Sequence, residues 1–189
     1  MRTLVLDGAL NSAQRPDPVS SAVRELFAQK GWSTELETLR DKNISACTAC
    51  DACWYKMPGI CAIIDAGREI AGKIIRSDAV VLLSPVTFGG YSSTLKKAVD
   101  RTRPLLSPLL KSAGGKLGHV PRYDRYPKLI AIGTLPGPDA ESERLFHDLV
   151  RRNSHLLHAP SYASLIVYDG QGPDEIRKRI NELLAEAGI

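Results

Sequence analysis

The sequence predicts an α/β fold in which helices cover both faces of an open parallel sheet. Short apolar and β-branched runs alternate along the chain with longer stretches of helical periodicity, and this alternation is typical of repeated βα units. Two of the runs, Ala79–Ser84 and Lys128–Gly133, are apolar almost throughout. Such runs are expected of strands buried on both sides at the centre of a parallel sheet.

Five strands are predicted. The second alternates Thr34, Leu36 and Thr38 with glutamates, which indicates a strand with one exposed face near a sheet edge. The others are short runs rich in aliphatic residues. In order, the predicted strands are Thr3–Asp7, Ser33–Leu39, Ala79–Ser84, Lys128–Gly133 and Ala163–Tyr168.

Five helices are predicted between and after these strands. Gly31 ends the first, Ser92 or Ser93 can cap the third, and Pro173 lies near the start of the last. Asp65 is expected to cap the second helix. The predicted helices are Val19–Lys30, Asp65–Arg76, Ser92–Arg103, Ala140–Leu157 and Pro173–Ala187.

The stretch Pro104–Pro127 shows little periodicity and is predicted to be a long loop. Loops of this length are usually surface excursions or functional segments. A lid or subunit contact built from Tyr123 and Tyr126, within Pro121–Pro127, is the alternative to a plain excursion. The chain shows no linker or internal repeat, so one domain over residues 1–189 is expected.

Composition limits the classes of function. Of the 189 residues 43% are hydrophobic and 24% charged, with a net charge of +4, which describes an ordinary globular chain. No basic stripe interleaved with aromatics predicts nucleic-acid binding, and no apolar run is long enough to span a bilayer. The start, Met1–Gly8, is typical of a strand and not of a signal peptide. A cytoplasmic protein without a membrane partner is therefore expected.

All four cysteines lie within one short segment, at Cys47, Cys50, Cys53 and Cys61. In a reducing compartment such a group is more typical of metal binding or catalysis than of disulfides. Four thiolates around one small volume fit a [4Fe–4S] cluster. Zinc is an alternative, although its usual site uses two separated cysteine pairs. Thiols or a disulfide without metal are the third interpretation.

The loops at the carboxyl ends of the strands are the predicted ligand site, because ligands of open α/β sheets bind where the strand order reverses. The first loop leads into a helix N-terminus, a place suited to phosphate. Its candidate donors are Asn11, Ser12, Ser20 and Ser21. The alternative is that these side chains only cap the helix and shape the turn.

The loop after the third predicted strand, Ser84–Ser93, is the more specific signal. Pro85 fixes the backbone, and the two glycines, Gly89 and Gly90, let the chain approach a ligand closely. Thr87 and Phe88 offer one polar and one flat apolar contact, which suits the edge of a planar heterocycle. The loop Thr134–Gly137 follows the fourth strand and is expected to close the opposite side. The chain has neither G-x-G-x-x-G after its first strand nor a P-loop motif.

Together these residues resemble the iron–sulfur flavoproteins, a branch of the NADPH-dependent FMN reductase family with a flavodoxin-like fold. The resemblance rests on the cysteine run, on Ala79–Gly89 and on Leu95–Arg101. It implies a three-layer sandwich whose five-stranded parallel sheet has the order 2-1-3-4-5. The first loop departs from the family, since Gly8–Asn11 lacks the usual Gly-Ser-x-Arg, and Thr87 stands where an aromatic residue is common.

The resemblance implies that FMN places its phosphate on the first loop and its ring against Pro85–Gly89. The implied FMN contacts are Ala9, Asn11, Ser12, Ser20, Ser21, Pro85, Val86, Thr87, Phe88, Gly89, Thr134 and Gly137, and the implied cluster ligands are Cys47, Cys50, Cys53 and Cys61. No side chain is assigned a catalytic role, because the flavin supplies the reaction.

The implied function is that of an FMN-dependent oxidoreductase that uses NAD(P)H to reduce flavin, quinone or a similar acceptor. An iron–sulfur electron carrier that exchanges electrons with ferredoxin is the alternative. A non-redox regulatory module is the third, because a fold does not determine function. The resemblance also implies a homodimer or a dimer-based tetramer.

Overall fold

The computed structural model describes residues 1–10, 17–113 and 116–189. Its strands are β1 (Arg2–Asp7), β2 (Ser33–Thr38), β3 (Ala79–Pro85), β4 (Leu106–Ala113), β5 (Lys116–Pro121), β6 (Lys128–Leu135) and β7 (Tyr162–Tyr168). Five of them form a parallel sheet in the order β2-β1-β3-β6-β7. With β6 and β7 as the fourth and fifth predicted strands, the predicted order is confirmed, and β2 lies at an edge as expected.

The helices agree closely with the predicted ones. They are α1 (Asp17–Gln29), α2 (Ala52–Tyr55), α3 (Ala66–Arg76), α4 (Ser93–Asp100), α5 (Ala140–Leu156) and α6 (Pro173–Glu186). Ser92 caps α4 by accepting from the N–H of Leu95, and Asp65 caps α3 by accepting from Gly67 and Arg68. The one-turn helix α2, inside the cysteine segment, was not predicted.

Hydrophobic cores lie on both faces of the sheet. Leu4 and Leu6 of β1 belong to a core shared with α3, α4 and α5, whereas Val5 belongs to one shared with α1 and α6. This alternation follows from the two-residue period of a strand. Helices on both faces are thereby confirmed. None of the helices within the described ranges is long and apolar enough to cross a bilayer.

The prediction of a loop over Pro104–Pro127 is wrong for most of its length. β4 and β5 pair as an antiparallel hairpin, with Leu110 opposite His119. The segment after β5 packs inward, because Tyr126 lies against the core and its hydroxyl donates to the carbonyl of Leu105 at 2.9 Å. Tyr123 also packs on this core, so both tyrosines serve the chain's own packing.

Glu37 on the edge strand β2 is almost fully buried, which the alternating pattern did not predict. Lys42 pairs with its carboxylate at 3.0 Å, and Lys73 of α3 pairs with it from the other side. Burial opposes ionisation, but the two lysines hold the pKa of Glu37 below its usual value. A charge buried with partners of opposite sign is tolerated where an isolated one is not.

Candidate functional site

The carboxyl edge of the sheet brings together the loops that follow β1, β3 and β6. The chain builds β2 on one side of β1 and β3 on the other, so the strand order reverses between β1 and β3. The N–H of Gly8 donates to the carbonyl of Leu83 at 2.8 Å, and the Ser92 hydroxyl donates to the carbonyl of Gly8. The loop after β1 is therefore fixed to β3 and to the start of α4.

Gly8 permits this close approach because it has no side chain. A Cβ at this position would lie 2.6 Å from the Cβ of Leu95 and 3.1 Å from the carbonyl oxygen of Leu83. Neither atom is the mobile end of a side chain, so the first loop, α4 and β3 meet at this edge only with glycine here.

A tight turn over Thr87–Gly90 follows β3. Its outer residues exchange two backbone hydrogen bonds of 2.9 Å, and its central residues Phe88 and Gly89 have φ values of 50° and 71°. Two positive φ angles in succession define a type I′ turn. Phe88 is fully exposed. A bulky exposed residue held in the left-handed region is unusual, and strained conformations of this kind cluster at functional sites.

Gly89 is required for packing as well as for its backbone conformation. A Cβ there would lie 2.6 Å from the Cβ of Leu145 on α5. From the sequence, this glycine was assigned to the close approach of a ligand, whereas the structure shows that a side chain here would point into α5. The turn therefore packs against α5, and Phe88 projects away from this helix.

Thr134 joins this turn because β3 and β6 pair in register, with Pro85 opposite Thr134. The N–H of Val86 donates to the carbonyl of Thr134 at 2.9 Å. Gly137 lies in the turn beyond β6 with open space around its Cα. The structure therefore brings Pro85–Gly89 and Thr134 together at the carboxyl edge of the sheet, as predicted. Gly137 follows Thr134 closely in sequence, and no atom of the described residues lies near the position that its side chain would take.

The first loop is described only at its two ends. Ala9 is buried, and its N–H donates to the carboxylate of Asp7 at 3.0 Å. Asp7 in turn lies 3.6 Å from the guanidinium of Arg40. Sequence reasoning missed this pair, although an aspartate at the end of a strand at the switch point is a usable signal. Asn11 and Ser12 lie outside the described residues.

The two serines of α1 differ in environment. Ser20 is buried, and its hydroxyl has no hydrogen-bond partner among the described residues. Ser20 lies in the first turn of α1, and a buried hydroxyl without a partner calls for an explanation. Ser21 is exposed and lines a surface depression with Arg24 and Trp32. Its predicted contact with phosphate stays a prediction.

The four cysteines line a single pocket together with Arg101 and Arg103. Cys53 and Cys61 are buried, Cys47 is half-buried and Cys50 is exposed. The segment bends sharply before α2, where Ala49 and Asp51 adopt positive φ angles of 51° and 58°. These left-handed conformations cost free energy in residues other than glycine, and they mark a segment whose shape is imposed by its surroundings.

Arg103, which lines this pocket, packs against Trp54. The guanidinium lies 3.9 Å from the centre of the indole and pairs with Asp51, and the indole N–H donates to the carbonyl of Arg103 at 3.2 Å. Burial raises the pKa of the Cys53 thiol, while the charge of Arg103 opposes that rise. His119 of β5 lies 5.4 Å from the indole, so the hairpin packs onto the cysteine segment.

Arg101 and Asp65 form a buried ion pair beside the same pocket. Two hydrogen bonds of 2.8 and 2.9 Å join their side chains. Burial opposes ionisation of Asp65, but Arg101 and the N–H of Ser45 lower its pKa to about 2. The pKa of Arg101 lies above its usual value, because Asp65 and the Cys61 thiol outweigh the effect of burial. Sequence reasoning treated Asp65 only as a helix cap and did not identify Arg101.

The donor set of the pocket fits an iron–sulfur cluster. In a cube each cysteine binds a different iron, so four sulfurs spread around one pocket are suitable ligands, and nearby cations offset their negative charge. A tetrahedral zinc instead needs its sulfurs within about 4 Å of one another, given Zn–S bonds of about 2.3 Å. Within the described ranges no three His, Cys, Asp or Glu side chains are grouped closely enough for a single ion. The cluster stays a prediction.

The sequence profile of the NADPH-dependent FMN reductase family matches residues 1–121. The chain belongs to this family. The matched residues include the cysteine run, Ala79–Gly89 and Leu95–Arg101, which were the residues on which the resemblance rested. The predicted family and its flavodoxin-like fold are confirmed.

Curated relatives of the chain include iron–sulfur flavoproteins. One from Methanocaldococcus jannaschii is 45% identical over 100 residues, which are 51% of this chain and 51% of the relative. The chain spans about half the length of the curated relatives it matches.

Solved flavin oxidoreductases share the fold of this family member. An NAD(P)H:quinone oxidoreductase from Methanothermobacter marburgensis has a TM-score of 0.67 at 15% identity, covering 100% of this chain and 94% of the other. An FMN-dependent NADH-azoreductase from Bacillus anthracis, in complex with FMN, has a TM-score of 0.64 at 14% identity, covering 100% and 98%. At these identities the likeness establishes the fold.

Proposed function

We propose that this family member binds FMN at the carboxyl edge of the sheet and transfers reducing equivalents from NAD(P)H to a small acceptor such as a flavin or quinone. The observation that supports this most is the turn Thr87–Gly90. It presents a fully exposed phenyl ring, in a strained backbone conformation, at the point where the strand order reverses. Family membership over residues 1–121 supports the same cofactor.

Each end of the site has a separate task. The start of α1 offers backbone N–H groups and a helix dipole for the phosphate, with the Ser20 hydroxyl available nearby. Val86 and Thr134 hold the ring-binding turn in place through their 2.9 Å hydrogen bond. Phe88 provides a flat apolar surface for the flavin ring and shields that ring from water. Bound FMN would supply the hydride and electron transfer that amino-acid side chains lack.

Removing the Phe88 ring tests the proposed position of the flavin. Phe88→Ala is expected to raise the Kd for FMN by about tenfold, because an aromatic contact contributes about 0.5–1.5 kcal/mol beyond its buried area. Leu117→Ala is the control, since Leu117 is an exposed apolar residue of the hairpin. FMN-dependent oxidation of NADPH with a quinone should be saturable in the wild type. Unchanged affinity in Phe88→Ala contradicts the ring position, and oxidation that does not depend on FMN contradicts the activity.

We propose further that the cysteine pocket binds a [4Fe–4S] cluster that passes single electrons between the flavin and a carrier such as ferredoxin. All four cysteines share the pocket with two arginines, and relatives are named iron–sulfur flavoproteins. A protein reduced only by a low-potential carrier, and not by NADPH, would favour the electron-carrier role over the reductase role. The dimeric or tetrameric state and the cytoplasmic location stay predictions.

Iron content decides whether the pocket binds a cluster. Anaerobically purified protein is expected to be brown and to contain about four irons per chain, and Cys53→Ser is expected to lose most of them because Cys53 is a buried member of the set. Tyr55→Phe, at an exposed position of the same helical turn, should keep its iron. Stoichiometric zinc would assign the pocket to zinc, and metal-free protein after anaerobic reconstitution would assign it to free thiols.

A further inference from the structure

The Arg101–Asp65 pair is the most deeply buried ion pair beside the cysteine pocket. The Arg101 side chain is 1% exposed and that of Asp65 is 5% exposed. Nη1 donates to Oδ2 at 2.9 Å and Nη2 donates to Oδ1 at 2.8 Å. This is the two-pronged geometry that gives arginine–carboxylate pairs both strength and a fixed orientation.

The same guanidinium holds both ends of the cysteine segment. Nη1 also donates to the carbonyl of Ser45 at 2.9 Å, and Nη2 donates to the carbonyl of Ile63 at 3.2 Å. Ser45 lies just before the first cysteine and Ile63 just after the last. Asp65 reinforces this closure by accepting from the N–H of Ser45 at 2.9 Å. One arginine therefore closes the segment that contains all four cysteines.

One donor of Arg101 is left over. A guanidinium has five N–H groups, and the four hydrogen bonds above engage the four on Nη1 and Nη2. Nε is buried and has no hydrogen-bond partner in the described part of the chain. An unsatisfied buried donor is uncommon and calls for an explanation. Arg101 lines the pocket together with Cys61, and its interaction with Cys61 helps to raise its pKa, so a sulfur of the site is a candidate acceptor beside it.

We propose that Arg101 is the residue that positions the cysteine site and sets its reduction potential, with its Nε–H donating to a sulfur of the site. This inference rests on the cluster proposed above. Hydrogen bonds to the sulfurs and the net charge around a cluster tune its potential. A buried cation stabilises the more negative, reduced form, whereas a buried carboxylate destabilises it.

Two substitutions that break the same ion pair therefore have opposite effects on the potential. Arg101→Met removes a positive charge and a donor, so the midpoint potential of the cluster is expected to become more negative. Asp65→Asn removes a negative charge and leaves Arg101, so the midpoint potential is expected to become less negative. Arg101→Lys keeps the charge but loses the Nε donor, and its potential should lie between those of the wild type and Arg101→Met. If the ion pair had only a structural role, Arg101→Met and Asp65→Asn would not shift the midpoint potential in opposite directions.

The experiment is an anaerobic dye-mediated redox titration of the loaded proteins, read by the electron paramagnetic resonance signal of the reduced cluster. FMN uptake by each variant reports that the fold is intact. Shifts of opposite sign in Arg101→Met and Asp65→Asn support the inference. Equal potentials, or shifts of the same sign, in variants that hold iron overturn it. If Arg101→Met holds no iron, the directions in which Arg101→Lys and Asp65→Asn shift the midpoint potential test the inference instead. A wild-type protein that takes up no cluster would refute the proposed cluster, and the inference about Arg101 would fall with it.

Discussion

Replacing Asp65 with asparagine is expected to lower the free energy of unfolding by about 3–5 kcal/mol, the usual effect of removing one partner from a buried ion pair. The variant leaves the guanidinium of Arg101 buried at 1% exposure without its counter-charge. It also weakens the cap of α3 and the hydrogen bond to Ser45. Urea unfolding at pH 7 measures the change.

The matched control is Asp100→Asn. Asp100 pairs with Lys96 at 2.5 Å one helical turn away, but both side chains are about half exposed. Exposed pairs of this kind contribute about 0.3–0.5 kcal/mol, so the same chemical change should have little effect there. Equal destabilisation by the two substitutions would contradict the structural role assigned to Asp65.

The same carboxylate makes stability depend on pH. Its pKa is about 2 in the folded chain against 3.8 ordinarily. A lowered pKa stabilises the fold above the unfolded value, and this stabilisation is lost as the pH falls from 3.8 towards 2. The contribution is about 2 kcal/mol, at 1.36 kcal/mol per pKa unit. The wild type should therefore lose more stability than Asp65→Asn between pH 5 and pH 2.

Gly89→Ala is expected to lower the free energy of unfolding by about 2–5 kcal/mol and to weaken FMN binding at least tenfold. Alanine at φ 71° is strained by about 1–2 kcal/mol, and its Cβ would lie 2.6 Å from the Cβ of Leu145, which adds an overpacking cost of about 1–3 kcal/mol. Relief of either strain moves the turn that holds Phe88. Thermal unfolding and FMN titration measure the two effects.

Gly90→Ala is the control for this substitution. It is the adjacent residue of the same turn, with no positive φ, and a Cβ there would have its nearest neighbour at 3.5 Å. Its stability and FMN affinity should stay close to those of the wild type. Adding Leu145→Ala to Gly89→Ala should restore a small part of the loss, because it removes the contacts of the new Cβ with Cδ1 and Cγ of Leu145, at 2.8 and 3.3 Å, but leaves the Cβ contact and the backbone strain. An unchanged loss in the double variant would show that the contacts with Cδ1 and Cγ do not contribute.

The sheet was predictable because burial imposes a pattern on each of its strands. β3 and β6 are covered on both faces, so their residues had to be apolar, and the alternation of β2 reflects its place at the edge. The hairpin β4–β5 lies outside the sheet. Leu109, Leu110 and Leu117 of this hairpin are all exposed, so burial does not impose a period of two on these residues, and their pattern does not indicate a strand.

The position of the candidate site was predictable where short sequence patterns define its loops. The proline, glycines and aromatic residue of Ser84–Gly90 indicated a ligand-binding turn, and parallel register brought Thr134 beside it. Asp7 with Arg40, and Arg101 with Asp65, were missed because each pair joins residues more than thirty positions apart. No local pattern encodes such a pairing, which depends on how the elements pack.

Titration of the flavin-free protein with FMN tests the central claim most directly, since every functional proposal depends on a flavin seated at the carboxyl edge. Quenching of flavin fluorescence should saturate at one FMN per chain in the wild type and in Gly90→Ala, and should need a much higher concentration in Gly89→Ala. A titration without saturation, or one with equal affinity in all three proteins, would contradict the account.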